Sequence, residues 1–213
     1  MTRLPLVPLI ILALAGAGTA AEAACAGSCA VSADQVGSVS TIKQTGASNS
    51  VNVTQRGVSS SANVTQTGSN SQASINQSGS GRQAATVVQQ GVNNVMSLVQ
   101  SGVAANTLTS SQTGSGNSYA ATQFALGGSG NSASLTQTGV NNSASLAQAG
   151  AGNSATQIQN GSNDHQSVVQ VGVNDTAVYN QQGNNLPNIG ITQVGSNASV
   201  TITQTAAGVL RGR

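Results

Sequence analysis

From residue 36 onward the chain alternates polar and small apolar side chains in short segments. Between residues 142 and 148, Asn142, Ala144, Leu146 and Gln148 occupy every second position, and serine or alanine stands between them. Successive side chains of a β-strand point to opposite faces of the sheet, so these four residues would share one face. The alternation therefore predicts short strands whose inward face carries two small apolar residues flanked by asparagine and glutamine.

This pattern recurs with a nearly fixed period from Gln44 to Gln204. Of the fourteen intervals between successive inward glutamines, ten are 11 residues long, three are 12 and one is 14. A fixed period is the sequence signature of a repeat architecture, and a glycine near every eleventh residue would break helices. The period predicts an all-β fold, a β-solenoid of two-strand coils with about fifteen strands of six or seven residues each.

The inward amides can form hydrogen bonds only when the coils of the solenoid are stacked. Coils about 4.8 Å apart bring identical amides together, and such amides form hydrogen-bonded ladders in amyloid. The sequence therefore predicts amyloid-like cross-β stacking and a self-assembly ladder, made of Gln44, Asn49, Gln55, Gln66, Gln77, Gln89, Asn94, Gln100, Gln112, Asn117, Gln123, Asn131, Gln137, Asn142, Gln148, Asn153, Gln159, Gln170, Gln181, Gln193 and Gln204.

A glycine usually follows two residues after the inward glutamine, where it would allow a tight turn. We expect these turn glycines at Gly46, Gly57, Gly68, Gly79, Gly91, Gly102, Gly114, Gly139, Gly150, Gly161, Gly172, Gly183 and Gly195. In five units another residue stands in the asparagine place, and these units should stack less well: Ser60, Ser71, Arg82, Asp164 and Asp175.

The ends of the array carry no strong cap. The last regular unit, residues 200–204, is a good β-strand former without charge, and open edges with matching patterns invite head-to-tail addition into a filament. Pro187 is the only proline after residue 24, and proline cannot donate to a β-ladder. We therefore expect a locally weak or bulged coil over residues 184–190, with less hydrogen-exchange protection than residues 137–160.

Composition and charge exclude several functions. Only 5% of the residues are charged and 1% aromatic, and the net charge is +2, which is too small and too scattered for a nucleic-acid partner. Asp164, His165 and Asp175 are the only group of acids with a histidine, and alternation turns His165 outward. The sequence therefore predicts no enzyme activity, no catalytic or metal-binding residues and no cofactor.

The N-terminus has the pattern of a secretory signal peptide. Arg3 precedes an apolar stretch from Leu4 to Leu14 that is too short to span a bilayer, and residues 21–23 fit a cleavage site before Ala24; an uncleaved anchor is the alternative. The predicted organisation is a signal peptide (1–23), an N-terminal segment (24–35), the repeat array (36–205) and a basic C-terminal tail (206–213) with Arg211 and Arg213.

Two cysteines, Cys25 and Cys29, follow the predicted cleavage site. Export would permit a disulfide between them, although the loop it closes is small and would add little stability. A tethering thiol is the other interpretation. Zinc binding is not expected, because two cysteines without histidine form an incomplete shell.

The repeat resembles that of the curlin family, the subunits of curli fibres. Its pattern reads Gln-x-Gly-x-x-Asn-x-Ala-x-x-x-Gln, and the units Gln137–Gln148 and Gln148–Gln159 match every fixed position. The unit from Gln112 to Gln123 departs only at Tyr119. The resemblance covers residues 36–205, although the chain has more strands than a typical curlin subunit.

The resemblance implies a secreted structural subunit that self-assembles into extracellular amyloid fibres at the bacterial cell surface, for adhesion and biofilm matrix. The implied partners are further copies of the chain, a nucleator subunit and an outer-membrane secretion pore. The chain itself could be the minor nucleator rather than the major subunit. A second class remains open, a monomeric solenoid that binds ice or a glycan through outward threonines; it would require regular ranks of Thr-x-Thr.

Overall fold

The structure, a computed structural model, describes the backbone of residues 9–14, 20–24, 28–33 and 37–206 and the side chains of residues 28–32 and 37–206. Within these residues every regular element is a strand, and no helix is long and apolar enough to cross a membrane. The eighteen strands are β1 (Leu9–Leu14), β2 (Ala20–Ala24), β3 (Ser28–Ala33), β4 (Val39–Ala47), β5 (Ser50–Gly57), β6 (Ser61–Ser69), β7 (Gln72–Gly79), β8 (Ala84–Val92), β9 (Val95–Gly102), β10 (Thr107–Ser115), β11 (Ser118–Ala125), β12 (Ser132–Val140), β13 (Ser143–Ala151), β14 (Ser154–Ser162), β15 (His165–Val173), β16 (Thr176–Asn184), β17 (Ile191–Ser196) and β18 (Ser199–Thr205).

The strands form two parallel nine-stranded sheets that share one core. The odd sheet contains the odd-numbered strands and the even sheet the even-numbered strands, each in chain order. Every strand pairs with the strand two places later, so two strands make one coil of a β-solenoid. This confirms the predicted all-β fold and the β-solenoid of two-strand coils, and the fifteen strands β4–β18 all lie within residues 36–205.

The strands β4–β16 are eight or nine residues long, which is longer than the six or seven predicted. The difference arises at the strand ends, where the glycine after each glutamine continues the ladder instead of leaving it. Gly139, for example, pairs with Gly114 on one side and Gly161 on the other.

The turn itself is made by another residue, four places after the inward glutamine. This residue has a left-handed backbone with φ near +57° and is mostly asparagine, as at Asn141 (φ 55°) and Asn163 (φ 58°). Asparagine tolerates this conformation better than other residues with a Cβ. Of the predicted turn glycines, all but Gly57 have positive φ, and all but Gly195 also lie too close to the next coil to carry a Cβ. A Cβ at Gly139 would overlap the carbonyl oxygen of Gly161 in the next coil.

The core is thin, as expected from the sequence. The inward residues of successive strands are buried in two apolar columns per sheet, and leucines such as Leu98, Leu135 and Leu146 are less than 5% exposed. The predicted inward asparagines and glutamines flank these columns, and most are also fully buried.

Strand β1 and all of β2 except its last residue, Ala24, fall within the predicted signal peptide. Strand β1 pairs with β3, and β2 pairs with β4, at the N-terminal edge of the sheets. Arg3, Cys25, Arg211 and Arg213 lie outside the described residues. The signal peptide and its cleavage before Ala24, the N-terminal segment and the basic tail therefore stay predictions.

The segment with Pro187 interrupts the odd sheet. The register that places Gln193 beside Gln170 would begin β17 at Asn188, but the strand begins at Ile191. Residues 186–190 have no regular structure. The predicted difference in hydrogen-exchange protection rests on this shortened strand.

Candidate functional site: two amide ladders and two outer faces

The inward glutamines form two uninterrupted ladders inside the chain, one along each sheet. In every step the Nε2 group of one glutamine donates to the Oε1 atom of the glutamine in the next coil, over 2.6–3.1 Å. The odd-sheet ladder joins Gln55, Gln77, Gln100, Gln123, Gln148, Gln170 and Gln193. The even-sheet ladder joins Gln44, Gln66, Gln89, Gln112, Gln137, Gln159, Gln181 and Gln204.

The second N–H of each amide holds the two sheets together. Gln137 in the even sheet donates to the carbonyl oxygen of Ser118 in the odd sheet, and Gln148 in the odd sheet donates to that of Ser132 in the even sheet, both over 3.0 Å. Each ladder glutamine from Gln55 to Gln170, and Gln193, makes the corresponding bond. A buried amide needs such partners, because an unpaired one would cost the full desolvation penalty. One side chain therefore fixes both the stacking of coils and the pairing of sheets.

Both ladders have a direction. Because every Nε2 donates toward the C-terminal end, the donors point to that end and the acceptors to the other. At the C-terminal end, Gln204 Nε2 donates to the carbonyl oxygen of Pro187 over 3.0 Å, and no residue among those described accepts its other N–H. At the N-terminal end, Gln55 Oε1 accepts from the Ser40 hydroxyl over 2.8 Å, and Gln44 Oε1 lies 3.1 Å from Cys29 Sγ.

The inward asparagines fix the turns. Asn142 Nδ2 donates to the carbonyl oxygens of Thr138 and Gly161, and Asn142 Oδ1 accepts from the Asp164 backbone N–H, over 3.0–3.1 Å. The same three bonds occur at Asn49, Asn94, Asn117 and Asn153. At Asn131 the amide donates instead to the carbonyl oxygen of Phe124, because the 14-residue interval lengthens the loop before it.

Asp164 and Asp175 occupy this asparagine place near the C-terminal end, as the sequence indicated. Their Oδ1 atoms accept from the backbone N–H groups of Leu186 and Ala198 over 2.9 Å, as an asparagine would. Their Oδ2 atoms are buried without a hydrogen-bond partner. An oxygen therefore stands where Nδ2 donates in the regular coils.

One position of the asparagine column differs from the sequence prediction. Arg82 is exposed, whereas Gln83 is buried in the column and its Oε1 atom accepts from the N–H and Nδ2 of Asn106. The interval of 12 residues between Gln77 and Gln89 displaces the column by one residue. The buried Ser60 and Ser71, by contrast, stand in the column as predicted, with hydroxyl oxygens that lack partners.

Cys29 is the one predicted cysteine whose side chain is described. It is buried and disulfide-bonded. Cys25 lies outside the described residues, so its pairing with Cys29 stays a prediction.

The core changes character near the C-terminal end. Gln157 and Gln166 replace apolar residues there and are buried with unpaired Oε1 atoms. The Tyr179 hydroxyl donates to Gln204 Oε1 over 2.9 Å and accepts from the Ile189 N–H over 2.8 Å. Burial raises the pKa of Tyr179, the charge of Asp164 raises it further, and the hydrogen bond from Ile189 lowers it.

Tyr119 provides a contrast in the middle of the array. Its side chain is 1% exposed and its hydroxyl has no hydrogen-bond partner. Burial raises the pKa of Tyr119 far above the ordinary range of a phenol, because nothing nearby stabilises the tyrosinate.

The outer faces of the two sheets differ, which the sequence alone did not reveal. We compared the outward positions that lie three residues before, one residue before and one residue after each inward glutamine. At these positions the even sheet carries thirteen threonines and the odd sheet three. Instead, the odd sheet has an apolar patch over its last four strands. We define the patch as Phe124, Leu126, Ala149, Ala151, Val171, Val173 and Val194.

The acid and histidine group is divided between the inside and the outside of the solenoid. Asp164 and Asp175 are buried, and His165 is exposed on the outside of β15. Within the described part of the chain no three residues of His, Cys, Asp or Glu gather as metal ligands would.

The comparisons with known proteins support the repeat assignment. Residues 46–79 match the family model of the curlin associated repeat, which confirms the resemblance stated from the sequence. These residues span β5, β6 and β7, and the two ladders described above continue from them without a break to Gln193 and Gln204. The chain matches no curated protein and no solved structure.

Proposed function

We propose that this curlin-repeat protein is a secreted structural subunit that polymerises head to tail into an extracellular amyloid-like fibre. Members of such a family serve as building material rather than catalysts, so we expect no enzyme activity, catalytic residue, metal or cofactor. The observation that carries the proposal is the direction of the glutamine ladders, above all of the even-sheet ladder, which ends in an N–H of Gln204 without a partner at one end of the solenoid and in the Oε1 atom of Gln44 at the other.

A second copy can continue the even sheet in register. The pattern that pairs Gln181 with Gln204 would set Gln204 of one copy beside Gln44 of the next, and Ile202 beside Ile42. The unsatisfied N–H of Gln204 would then donate to Gln44 Oε1 and extend the ladder. Contacts between two like ends would instead oppose donors to donors or acceptors to acceptors, so the ladders favour head-to-tail growth.

The backbone of β18 supports the same contact. Ala198 O and Ala206 N bond toward β16, so by alternation the N–H groups of Thr201 and Thr203 point to the free edge. An edge strand with unpaired backbone groups templates another strand. Cleavage before Ala24 would leave β3 and β4 as the matching edge of the next copy.

The test is fibre formation by the chain from Ala24 to Arg213. We expect growth with a lag phase, and fibre diffraction with spacings of about 4.8 Å along the fibre and about 10 Å across it. The variant T203P removes one outward N–H without touching the bonds to β16, so it should fold but not elongate. The matched variant T203A retains the N–H and should grow normally. Soluble wild-type monomers, or equal growth of both variants, would contradict the proposal.

We further propose the roles and partners that belong to such a fibre. The subunit would be exported by a signal peptide and an outer-membrane pore, grow from a nucleator subunit at the bacterial surface, and serve adhesion and biofilm matrix. The chain could itself be the nucleator. Deletion of its gene would then abolish fibres made by a separate major subunit, whereas loss of a major subunit removes the fibre mass itself.

The threonine face of the even sheet favours one alternative, a monomer that binds ice or a glycan. Thr201, Thr203 and Thr205 form a Thr-x-Thr-x-Thr rank, and Thr136 and Thr138 form another. Sorting the units into two sheets makes these ranks more regular than the sequence suggested. A chain that stays monomeric for days at high concentration and shapes ice crystals or binds glycans would favour this function over the fibre.

A further inference from the structure

The apolar patch on the odd sheet has a defined relief. Phe124 and Leu126 stand on β11 and just beyond it, Ala149 and Ala151 on β13, and valines on β15. Because alanine side chains are shorter than their neighbours on both sides, they form the floor of a groove between two ridges. The groove has a volume of about 390 Å³, and its walls are Leu126, Val171 and Val173.

These side chains are exposed to a degree that is unusual for large apolar groups. Leu126 is 65% exposed and Val194 76%, and Phe124, Val171 and Val173 are each more than 40% exposed. No charged residue stands in the two outward rows on the four strands of the patch, although Arg56 occupies the first row farther along the sheet, on β5. A contiguous exposed apolar surface marks an interaction site more often than scattered single residues do.

We propose that the patch is the lateral contact between two fibres of this chain, which pair back to back through their odd sheets. The inference rests on the proposed function, since it assumes that the chain forms fibres. The occupant is a second copy, because the ridge of Phe124 and Leu126 and the floor of Ala149 and Ala151 are complementary to each other. The β15 valines then lie over Ser101 and Val103 of the other copy. A two-fold axis parallel to the strands brings Phe124 of each copy over Ala149 of the other, and Leu126 over Ala151.

The axis can be placed in this way because of the strand spacing. Ridge and floor lie one strand apart, about 4.8 Å, so an axis midway between β11 and β13 interchanges them. Rotation about an axis parallel to the strands also preserves strand direction, which keeps each row opposite the same row. The contact is isologous, and the two fibres run antiparallel. Rotation about the solenoid axis would instead set ridge against ridge.

The size of the patch explains why pairing should depend on polymerisation. Four strands and two rows of side chains cover on the order of 200 Å², whereas a stable complex needs about 800 Å² on each partner. Two monomers would therefore not associate measurably. A fibre presents the patch once per subunit, so many weak contacts act together. The threonine faces remain outward on both sides of the pair.

The experiment compares the mass per length of fibres by electron microscopy, together with their elongation rate. The wild type should have twice the mass per length of a single solenoid. The triple variant L126S/V171T/V173T should have half the wild-type value, with an unchanged elongation rate. The control V92T/V140T changes exposed valines on the even sheet and should leave the fibres paired.

A second variant separates shape from general stickiness. A149L increases the exposed apolar area but fills the floor of the groove, so it should also give single fibres. Wild-type fibres of single mass, or paired fibres in the triple variant, would overturn the inference while leaving the fibre function intact. If A149L fibres bundled more than the wild type, the proposed packing of Phe124 and Leu126 over Ala149 and Ala151 of the other copy would be wrong. Absence of any wild-type fibre would overturn the proposed function itself, and lateral pairing with it.

Discussion

The middle of the solenoid and its C-terminal end have the same repeat but differ in their core residues and in how many of their buried polar groups are hydrogen-bonded. In the middle, around β8–β13, glutamines and asparagines make all of their ladder bonds over an apolar core. At the C-terminal end, two asparagines are replaced by Asp164 and Asp175, the core contains Gln157 and Gln166, and β17 is short. The first region leaves only the hydroxyls of Ser110 and Tyr119 unpaired, whereas in the second the unpaired oxygens belong to the carboxylates and to buried amides.

The comparison shows which residues of the repeat the fold depends on most. The glutamine column continues through the irregular end to Gln204, while the asparagine column and the core column both change. A glutamine bonds to both neighbouring coils and to the opposite sheet, so each loss would leave several partners unsatisfied. An asparagine fixes one turn, and the neighbouring turns can tolerate its replacement.

We expect the largest fall in the free energy of unfolding when a ladder glutamine in the middle of the solenoid is removed. In Q89A the bonds of Gln89 to Gln66, Gln112 and the Gln72 carbonyl disappear. Unpaired buried amides and a cavity should lower the free energy of unfolding by about 4–6 kcal/mol. Denaturant unfolding at a concentration too low for fibres measures it. The neighbouring Gln90 is exposed, so Q90A should cost less than about 0.5 kcal/mol; equal losses would refute the ladder as the main support.

At the C-terminal end, Y179F should have an intermediate effect. The substitution removes a hydroxyl that bonds Gln204 and the Ile189 backbone, and it should destabilise the chain by about 2 kcal/mol. Hydrogen exchange should increase mainly over residues 186–205. A uniform increase across β4–β18 would instead mean that the end coil is not a separate weak region.

Exchanging Asp and Asn tests whether the unpaired carboxylate oxygens lower the stability of the C-terminal end. D164N and D175N place an N–H₂ group where Oδ2 now lacks a partner, so each should raise the free energy of unfolding by about 1–2 kcal/mol. The reverse change in the middle, N142D, removes the donations of Asn142 to Thr138 and Gly161 and should cost a similar amount. If the Asp-to-Asn and the Asn-to-Asp changes lowered the free energy of unfolding equally, the Oδ2 atoms of Asp164 and Asp175 would have a partner in the folded chain after all.

The smallest effect at neutral pH is expected from Y119F. It removes a buried hydroxyl without a partner, so the stability should rise by up to about 1 kcal/mol. The pKa of Tyr119 is raised by burial, so above about pH 10 the unfolded chain releases a proton that the folded chain retains. Stability should therefore fall as the pH rises beyond that point, and Y119F should lessen the fall. An unchanged alkaline profile would contradict the burial of the hydroxyl.

Much of this molecule follows from the spacing of glutamines alone. A period of 11 residues with inward Asn, Ala, Leu and Gln requires strands, because only a two-residue alternation buries these four together. It also predicts the ladder, since the side-chain amide nearest to a buried glutamine in a thin core is its copy in the next coil. The position of Gln83 was missed, because an insertion of one residue shifts the column without leaving a mark in the local pattern.

The sequence by itself determined the repeat, the inward face and the residues that stack, because these depend on local alternation and on a constant period. Only the tertiary structure decided which units share a sheet, because consecutive units go to opposite sides of the core and neighbours in space are 22 to 25 residues apart. That sorting gathered threonines on one outer face and Phe124, Leu126 and the valines on the other. It also gave the ladders their direction, which depends on how each amide rotates toward its neighbour and not on the order of residues.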